Sequence, residues 1–154
     1  MKVILPGSYD PVTLGHLELI RRAASTYSDV YAVVFINPEK KYLFSAEDRV
    51  EMLRLATEEF DNVTVDFSDG LVIDYMRERG IEKIVKGYRN TTDYEYELLQ
   101  ADYNFKNGGF ETELIKAGAD MENVSSTKAR EAIAKGEQLE KNLPKKVISY
   151  INSH

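Results

Sequence analysis

Short apolar runs alternate with segments of helical periodicity along the chain, and this alternation predicts βαβ units that build a parallel sheet. Each apolar run is only a few residues long, which suits a strand and is too short for a buried helix. The predicted strands cover residues 2–5, 30–36, 62–67, 82–86 and, with a weaker pattern, 112–117. We therefore predict an α/β fold in which residues 1–154 form one domain, a Rossmann-like doubly wound parallel five-stranded sheet with a C-terminal helix.

Between the strands, apolar residues at helical spacing predict helices that each pack one face on the sheet. The three faces are Leu17, Ile20, Ala24 and Tyr27; Val50, Leu53, Ala56 and Phe60; and Tyr94, Leu98, Ala101 and Phe105. Ser45 is the expected N-cap of the second helix, and Gly80 and Gly136 suit left-handed C-caps. Residues 143–151, started by Pro144, predict the terminal helix.

Composition and charge narrow the class of protein. A chain that is 43% hydrophobic and 30% charged is typical of a soluble globular protein, and no apolar run approaches a membrane span or a signal peptide. With no cysteine, disulfides and thiolate chemistry are excluded, and we expect a cytoplasmic location. The net charge of −6 argues against a nucleic-acid partner, because binding phosphate backbones needs clustered Lys and Arg.

The segment GSYDPVTLGH follows the first predicted strand, at the edge of the sheet where ligands of such folds bind. Its glycines allow close approach of the backbone, Ser8 offers a hydroxyl, and His16 lies at the expected start of a helix, where free N–H groups favour phosphate. The same residue types are common in turns, and a lone histidine near a helix start is more often a cap. The residues alone therefore leave a phosphate site and a plain connection both open.

The segment also resembles a known signature. GSYDPVTLGH is similar to the G-[ST]-[FY]-D-P-x-T-x-G-H pattern of the phosphopantetheine adenylyltransferase family, with Thr13 to His16 as the (H/T)xGH element of the nucleotidylyltransferase superfamily. Three later segments resemble the same family in the same order: PEKKYLFSAEDRV, KGYRNTTDYEYE and VSSTKAR. A G-L-V segment at residues 70–72 is similar to a further family element.

The resemblance implies roles for particular residues. The implied catalytic residues are His16, Lys40 and Arg89. The implied ATP-binding residues are Ser8, Tyr9, His16, Gly87, Tyr88, Arg89, Glu97, Met121, Glu122, Asn123, Val124, Ser125, Ser126 and Thr127. The implied acceptor-binding residues are Ser8, Lys40, Val72 and Lys86.

Plainer explanations exist for several of these residues when each is taken alone. Lys40 with its neighbour Lys41 would be a solvated turn, Val72 would pack in the core, and Glu97 would be an exposed acid. Residues 125–127 would simply cap a helix.

The family resemblance further implies the reaction and its partners. ATP would transfer its adenylyl group to 4′-phosphopantetheine with Mg²⁺ as cofactor, and no protein cluster of metal ligands is expected. CoA would be a feedback inhibitor and the protein a homo-hexamer.

Two departures from the family pattern keep other activities open. Lys86 stands where the family usually has Arg, and residues 103–123 lack the usual N-[RK]-x-L segment. The alternatives are an adenylyltransferase or cytidylyltransferase for another small phosphate acceptor, or a non-catalytic nucleotide- or CoA-binding protein. Thr13 and Pro11 argue against the nicotinate mononucleotide and cytidylyl versions respectively.

Overall fold

The computed structural model describes residues 1–154 as five strands and six α-helices that alternate. The strands are β1 (Lys2–Gly7), β2 (Asp29–Phe35), β3 (Val63–Ser68), β4 (Lys83–Tyr88) and β5 (Glu111–Lys116). The helices are α1 (Leu14–Thr26), α2 (Ala46–Thr57), α3 (Val72–Arg79), α4 (Thr91–Gly108), α5 (Ser126–Lys135) and α6 (Lys145–Ser153), with a 3-10 turn at Ala119–Met121. All five predicted strands and the terminal helix are confirmed.

The sheet is parallel throughout and has the strand order β3-β2-β1-β4-β5. The order reverses direction between β1 and β4, and a reversal of this kind opens a crevice at the carboxyl ends of the two strands. The predicted Rossmann-like α/β fold is therefore confirmed, and the fold itself points to the loops after β1 and β4 as the place for a ligand.

The strands separate two apolar cores because successive side chains point to opposite faces. In β1, Val3 and Leu5 belong to the larger core, while Ile4 between them belongs to the smaller one. The larger core takes buried residues from α1, α2, α5 and α6, and the smaller core takes Tyr75 and Met76 from α3. Each core shields one face of the sheet from water, as a doubly wound sheet requires.

Strands β1 and β4 pair over only a short stretch. Their ladder joins Val3 with Lys83 and Ile4 with Ile84 and then ends, whereas β1 and β2 stay paired as far as Gly7. Pro6 follows the end of this ladder, and its carbonyl accepts a hydrogen bond from the side chain of Lys86. The strands therefore part at their carboxyl ends, and a side-chain ammonium takes the position of a ladder partner.

The local signals for helix ends were largely correct. Ser45 caps α2 by accepting a hydrogen bond from the Asp48 N–H, and Gly80 and Gly136 adopt the left-handed conformation with φ of 65° and 69°. The Asp48 carboxylate Oδ1 accepts a hydrogen bond from the Tyr150 hydroxyl and so links α2 to α6.

The expected apolar face of α4 is where the sequence prediction was wrong. Tyr94, Leu98 and Phe105 are exposed, and Glu97 is the helix's buried residue. Apolar residues at helical spacing predict that a helix face is covered, but they do not show what covers it. In this chain no other segment covers that face of α4. None of the helices is long and apolar enough to cross a membrane.

Candidate functional site

Two cavities adjoin at the carboxyl edge of the sheet. The first has a volume of about 380 Å³ and lies between the loop after β1, the end of β4 and the start of α5. The second has a volume of about 690 Å³ and lies between the loop after β2, the start of α3 and the middle of α4. Both are lined by the same five residues at their junction, which are Pro6, Gly7, Ser8, Lys40 and Lys86. The site is thus a two-part cleft with cations where the parts meet.

The first cavity is positively charged although the chain as a whole is acidic. Its basic lining residues are Arg22, Lys40, Lys86, Arg89, Lys116 and Arg130, and its acidic ones are Asp10, Glu18 and Asp93. Since a local excess of one charge raises the concentration of oppositely charged ligands, this cavity favours an anion.

Two helices also direct their N-terminal turns at the first cavity. The N–H groups of Gly15 in α1 and of Ser126 and Thr127 in α5 take no acceptor within the chain. The Ser126 hydroxyl donates to the Pro11 carbonyl at 2.8 Å, which fixes the start of α5 against the loop after β1. Free N–H groups and two converging helix dipoles form a seat for phosphate oxygens.

Hydrogen bonds to Thr13 fix the position of His16 and engage its ring nitrogen Nδ1. Its Nδ1 accepts a hydrogen bond from the Thr13 N–H at 3.0 Å, while the Thr13 hydroxyl accepts from the His16 N–H at 3.3 Å. These two bonds form a capping box at the start of α1 and assign the ring proton to Nε2. Burial and, to a smaller extent, the nearby charges of Lys86 and Arg89 together lower the pKa of His16 to about 4. At neutral pH the ring is an uncharged hydrogen-bond donor.

Tyr9 closes the base of the first cavity. It has a positive φ of 48°, which is unusual for a residue other than glycine, and its hydroxyl donates to the Leu5 carbonyl at 2.7 Å. A Cβ on Gly7 would stand 3.2 Å from the Tyr9 ring. Gly7, the last residue of β1, therefore makes room for Tyr9, whose ring lies 4.8 Å from that of His16.

Asp10 joins the loop after β1 to the loop before α2 and to helix α5. Its buried carboxylate accepts hydrogen bonds from the N–H groups of Leu43 and Phe44 at 2.8 and 2.9 Å. Its carbonyl accepts from Arg130 of α5 at 2.9 Å. Arg49, which is 1% exposed, adds a second link by donating to the Ser8 carbonyl at 3.0 Å. The position of the loop that carries Lys40 therefore depends on these buried polar bonds.

The charged residues implied by the resemblance do meet at the cleft. Lys40 Nζ lies 3.4 Å from the Ser8 hydroxyl at the junction. Arg89 lies in the first cavity, where its Nε donates to Asp93 at 3.0 Å. Gly87 and Tyr88 border the same cavity.

Most of the remaining predicted residues line one of the two cavities. Val72 lines the second cavity, and Met121, Val124 and residues 125–127 line the first. Glu122 and Asn123 line neither cavity.

Glu97 was grouped with the ATP-binding residues, and that role stays a prediction. In the structure it lines the second cavity together with Val72. The length of α4 is the reason: Asp93 in its first turn borders the first cavity, and the following turns carry Glu97 past the junction. Burial raises the pKa of Glu97, and the neighbouring Lys86 partly opposes this shift.

Sequence reasoning missed three residues that shape the site. Asp10, Arg49 and Arg130 all occur within the motif segments, yet no role was assigned to them. For Arg49 a signal existed, since it shares the core-facing stripe of α2 with Leu53 and Ala56, where an unpaired charge is not tolerated.

The acidic residues of the first cavity are already engaged. Asp10 accepts two N–H bonds, Asp93 accepts from Arg89, and Glu18 faces Arg22 at 3.9 Å. No group of three or more potential protein ligands for a metal ion occurs in the chain. These residues do not fit a metal ion held by the protein alone.

The sheet, the crevice and the two helix starts define an α/β protein of the nucleotidyl-transferring class. In agreement, a family model described as cytidylyltransferase-like matches residues 4–132.

Individual relatives narrow the family. A phosphopantetheine adenylyltransferase of Clostridium novyi (strain NT) is 40% identical over 149 residues, covering 96% of this chain and 92% of the relative. Enzymes of the same name from Thermobifida fusca (strain YX) and Symbiobacterium thermophilum are 43% and 42% identical, over 84% and 94% of this chain and 79% and 90% of the relatives. The chain belongs to the phosphopantetheine adenylyltransferase family of cytidylyltransferase-like proteins.

The low pKa of His16 predicts its titration. The chain has two histidines, so a His154→Gln variant leaves His16 as the only imidazole in a ¹⁵N-resolved NMR titration. We expect its ring signals to stay constant from pH 8 to about 5.5 and to move with a midpoint near 4. The unfolded chain takes up this proton near pH 6.5, so the associated stability is complete above that pH and is lost as the pH falls towards 4. A midpoint at 6 or above would contradict the buried neutral ring.

The role of Asp10 predicts a linked loss of stability and of loop order. In Asp10→Asn, one of the two N–H groups of Leu43 and Phe44 loses its acceptor, so the free energy of unfolding should fall by about 1–3 kcal/mol. Urea denaturation measures this change, and hydrogen exchange should show faster exchange at both amides. Asp61→Asn, at an exposed position, is the matched control and should change neither. Unchanged exchange at Leu43 and Phe44 in Asp10→Asn would refute the link.

Proposed function

We propose that the protein transfers the adenylyl group of ATP to 4′-phosphopantetheine and releases dephospho-CoA and pyrophosphate. The observation that carries this proposal is the two-part cleft. Its cationic junction lies between a cavity lined mainly by basic charges and a larger cavity lined by both apolar and polar residues. A nucleotide triphosphate suits the first cavity, and a phosphate ester with a long arm suits the second. The relatives that share 40–43% of their residues with this chain carry the name of that activity.

The reaction joins the two ligands at the junction. An oxygen of the acceptor phosphate attacks the α-phosphorus of ATP, a new P–O bond forms, and the bond to the β-phosphate bridging oxygen breaks as pyrophosphate leaves. The acceptor phosphate is already ionised, so the chain needs neither a general base nor a covalent nucleophile. Catalysis then consists of positioning and of stabilising charge on the phosphoryl oxygens.

Each polar group of the cleft has a place in this scheme. The Nε2–H of His16 would donate a hydrogen bond to the α-phosphoryl oxygens. Because the ring is neutral, it would do so without a change in its protonation state. Lys40, Lys86 and the Ser8 hydroxyl would hold the acceptor phosphate at the junction. Arg89 and the free N–H groups at the start of α5 would hold the β- and γ-phosphates. Arg89 and its present partner, the half-buried Asp93, both border the cavity in which these phosphates would lie.

Magnesium would enter as part of the substrate. Mg²⁺ is usually bound in such sites by phosphates and water with few protein ligands, so MgATP suits a cavity whose carboxylates are engaged. Its charge would offset that of the triphosphate.

CoA is the proposed feedback inhibitor, since it combines an adenine nucleotide with the pantetheine arm and could occupy both cavities. The cytoplasm, where ATP is abundant, is the proposed compartment.

A panel of acceptors tests the proposed reaction. The protein is incubated with MgATP and 4′-phosphopantetheine, nicotinate mononucleotide or glycerol 3-phosphate, with CTP replacing ATP in parallel, and products are identified by mass. We expect dephospho-CoA and pyrophosphate from the first acceptor with ATP. Preference for another acceptor or for CTP would overturn the assignment, and ATP binding without any product would favour a non-catalytic protein.

His16→Ala is the matched variant for this assay. Losing one hydrogen-bond donor to a developing charge costs about 10²–10³ in kcat, and the KM for ATP should change little because the bond strengthens only in the transition state. His154→Ala, which removes the other histidine at the end of the chain, is the control. Equal kcat in His16→Ala and the control would exclude the proposed role.

The exposed apolar residues of α4 support the proposed homo-oligomer, for which we take the hexamer from the family resemblance. Leu99 and Phe105 are 70% and 57% exposed, and four further large apolar residues of this helix are exposed, namely Tyr94, Tyr96, Leu98 and Tyr103. Apolar patches of this kind are typical of interfaces, and a second copy of the chain would cover them.

Charges placed among these exposed apolar residues should therefore dissociate the oligomer. Leu99→Lys together with Phe105→Lys is expected to lower the mass measured by light scattering on a sizing column to that of a smaller species. Phe67→Lys, which changes an exposed apolar residue on β3, is the control and should keep the full mass. A wild-type protein that is monomeric at micromolar concentration would refute the proposal.

A further inference from the structure

Lys40 lies on the loop that joins β2 to α2, and it lines both cavities where they meet. Its side chain is exposed, and its Nζ lies 3.4 Å from the Ser8 hydroxyl, close to the upper limit for a hydrogen bond. A free lysine side chain samples many rotamers, and fixing it on a ligand costs entropy. How well Lys40 can bind a phosphate therefore depends on what holds the loop and the ammonium in place.

Asn37 organises the turn that carries Lys40. Its carbonyl accepts the Lys40 N–H at 3.0 Å, and its side-chain Oδ1 accepts the Glu39 N–H at 3.0 Å. Its own N–H donates to the hydroxyl of Tyr42 at 2.9 Å. Because Asn37 precedes Lys40 and Tyr42 follows it, this last hydrogen bond closes the loop around the lysine.

The ring of Tyr42 packs against a buried cation. The guanidinium carbon of Arg49 lies 3.8 Å from the ring centroid, and Arg49 is 1% exposed. The same guanidinium donates to the Ser8 carbonyl at 3.0 Å. A guanidinium stacked on an aromatic face is a favourable contact, and it is stronger when the cation is shielded from water. Tyr42 is thereby joined through Arg49 to the segment that carries Ser8.

The same ring also attracts Lys40. The Nζ of Lys40 lies 5.5 Å from the centroid of the Tyr42 ring, within the range in which an ammonium interacts with an aromatic face. The ammonium is therefore limited by the ring and by the Ser8 hydroxyl together. Neither neighbour neutralises its charge, and an ammonium has three N–H donors, so donors remain for an anion at the junction.

We propose that Tyr42 is a positioning residue that acts through Lys40. Its hydroxyl closes the loop, and its ring, packed on Arg49, holds the ammonium near Ser8 for the acceptor phosphate. This inference rests on the proposed function, because it takes the acceptor phosphate as the ligand of Lys40. It extends the acceptor half of the site to a side chain that lines the second cavity.

A double-mutant cycle tests the inference. Tyr42→Leu, Lys40→Gln and the double variant are compared with wild type for kcat and for the KM of each substrate, using 4′-phosphopantetheine and MgATP. In the wild-type background, Tyr42→Leu should raise the acceptor KM about 3- to 20-fold and change the ATP KM less than about twofold. In the Lys40→Gln background the same change should alter the acceptor KM less than about twofold, because the residue it acts through is gone.

Tyr42→Phe separates the hydroxyl from the ring. It keeps the contact with Arg49 and removes the acceptor of the Asn37 N–H, so its acceptor KM should fall between those of wild type and Tyr42→Leu. Hydrogen exchange should become faster at the Asn37 amide and stay unchanged at the amides of Leu43 and Phe44, which have a different acceptor. Unchanged exchange at Asn37 would refute closure of the loop by the hydroxyl. Tyr42→Phe also replaces Tyr42→Leu in the cycle if the latter does not fold.

Lys41→Gln is the matched control for Lys40→Gln. It removes the same charge from the adjacent position of the loop, which is exposed and lines neither cavity. Both KM values should change less than about twofold, because the charge at this position does not face the junction. An effect on the acceptor KM as large as that of Lys40→Gln would show that only the total charge of the loop matters, and it would overturn the inference.

Three results of the cycle would also overturn the inference while leaving the proposed reaction intact. An unchanged acceptor KM in Tyr42→Leu, with a lower unfolding temperature, would show that Tyr42 only stabilises the fold. An equal factor in both backgrounds would show that Tyr42 acts without Lys40. Equal increases in the acceptor and ATP KM values would show a general disturbance of the cleft. Failure of wild type to use 4′-phosphopantetheine would instead contradict the proposed reaction, and the inference with it.

Discussion

The buried carboxylate of Asp10 is the interaction on which the arrangement of the cleft depends. Ser8 and Lys40 lie on two different loops and Thr127 lies at the start of α5, and the sheet alone does not fix these three segments relative to one another. Asp10 does so by accepting the N–H groups of Leu43 and Phe44 and, through its carbonyl, a hydrogen bond from Arg130. Burying a carboxylate is costly, but two backbone donors to an ionised acceptor are among the stronger hydrogen bonds. The hydrogen bonds of the buried Asp10 thus fix the distances between Ser8, Lys40 and Thr127, which must contact two different phosphates.

Electrostatics at the cleft run against the average charge of the chain. A protein of net charge −6 repels anions at long range, so the attraction must come from short-range groups that burial protects from screening. The cations of the first cavity and the two helix starts provide such a field. The same field also acts on His16, because burial lowers its pKa most and the charges of Lys86 and Arg89 add to that shift, which keeps the ring a neutral donor. The charges that favour phosphates therefore also help to keep this ring uncharged.

The sequence predicted the sheet well and the surfaces poorly. Short apolar runs correctly predicted all five strands. The general rule that ligands bind at the carboxyl ends of strands in open sheets indicated the residues after β1 and β4 as site residues. The face of α4 could not be assigned, because Tyr94, Leu98 and Phe105 have the same spacing whether they meet the chain's own core or another copy. The position of Glu97 could not be predicted for a related reason. Its distance from Arg89 along the chain is short, but the helix carries it past the junction to the second cavity. Arg49 was predictable in principle, as a charge in an apolar stripe signals a buried partner that only the fold can identify.

The parting of β1 from β4 connects the fold to the chemistry. A parallel ladder that continued past Ile4 and Ile84 would close the crevice and would use the carbonyl of Pro6 as a ladder acceptor. Because the ladder stops there, the same carbonyl is free to accept a hydrogen bond from Lys86, and the gap becomes the junction of the two cavities. Proline suits this position, since it lacks the N–H that a continued ladder would require. The cavity and the cation that serves it thus have a common origin in one interrupted strand pairing, and the placement of Lys86 follows from the sheet before any ligand is present.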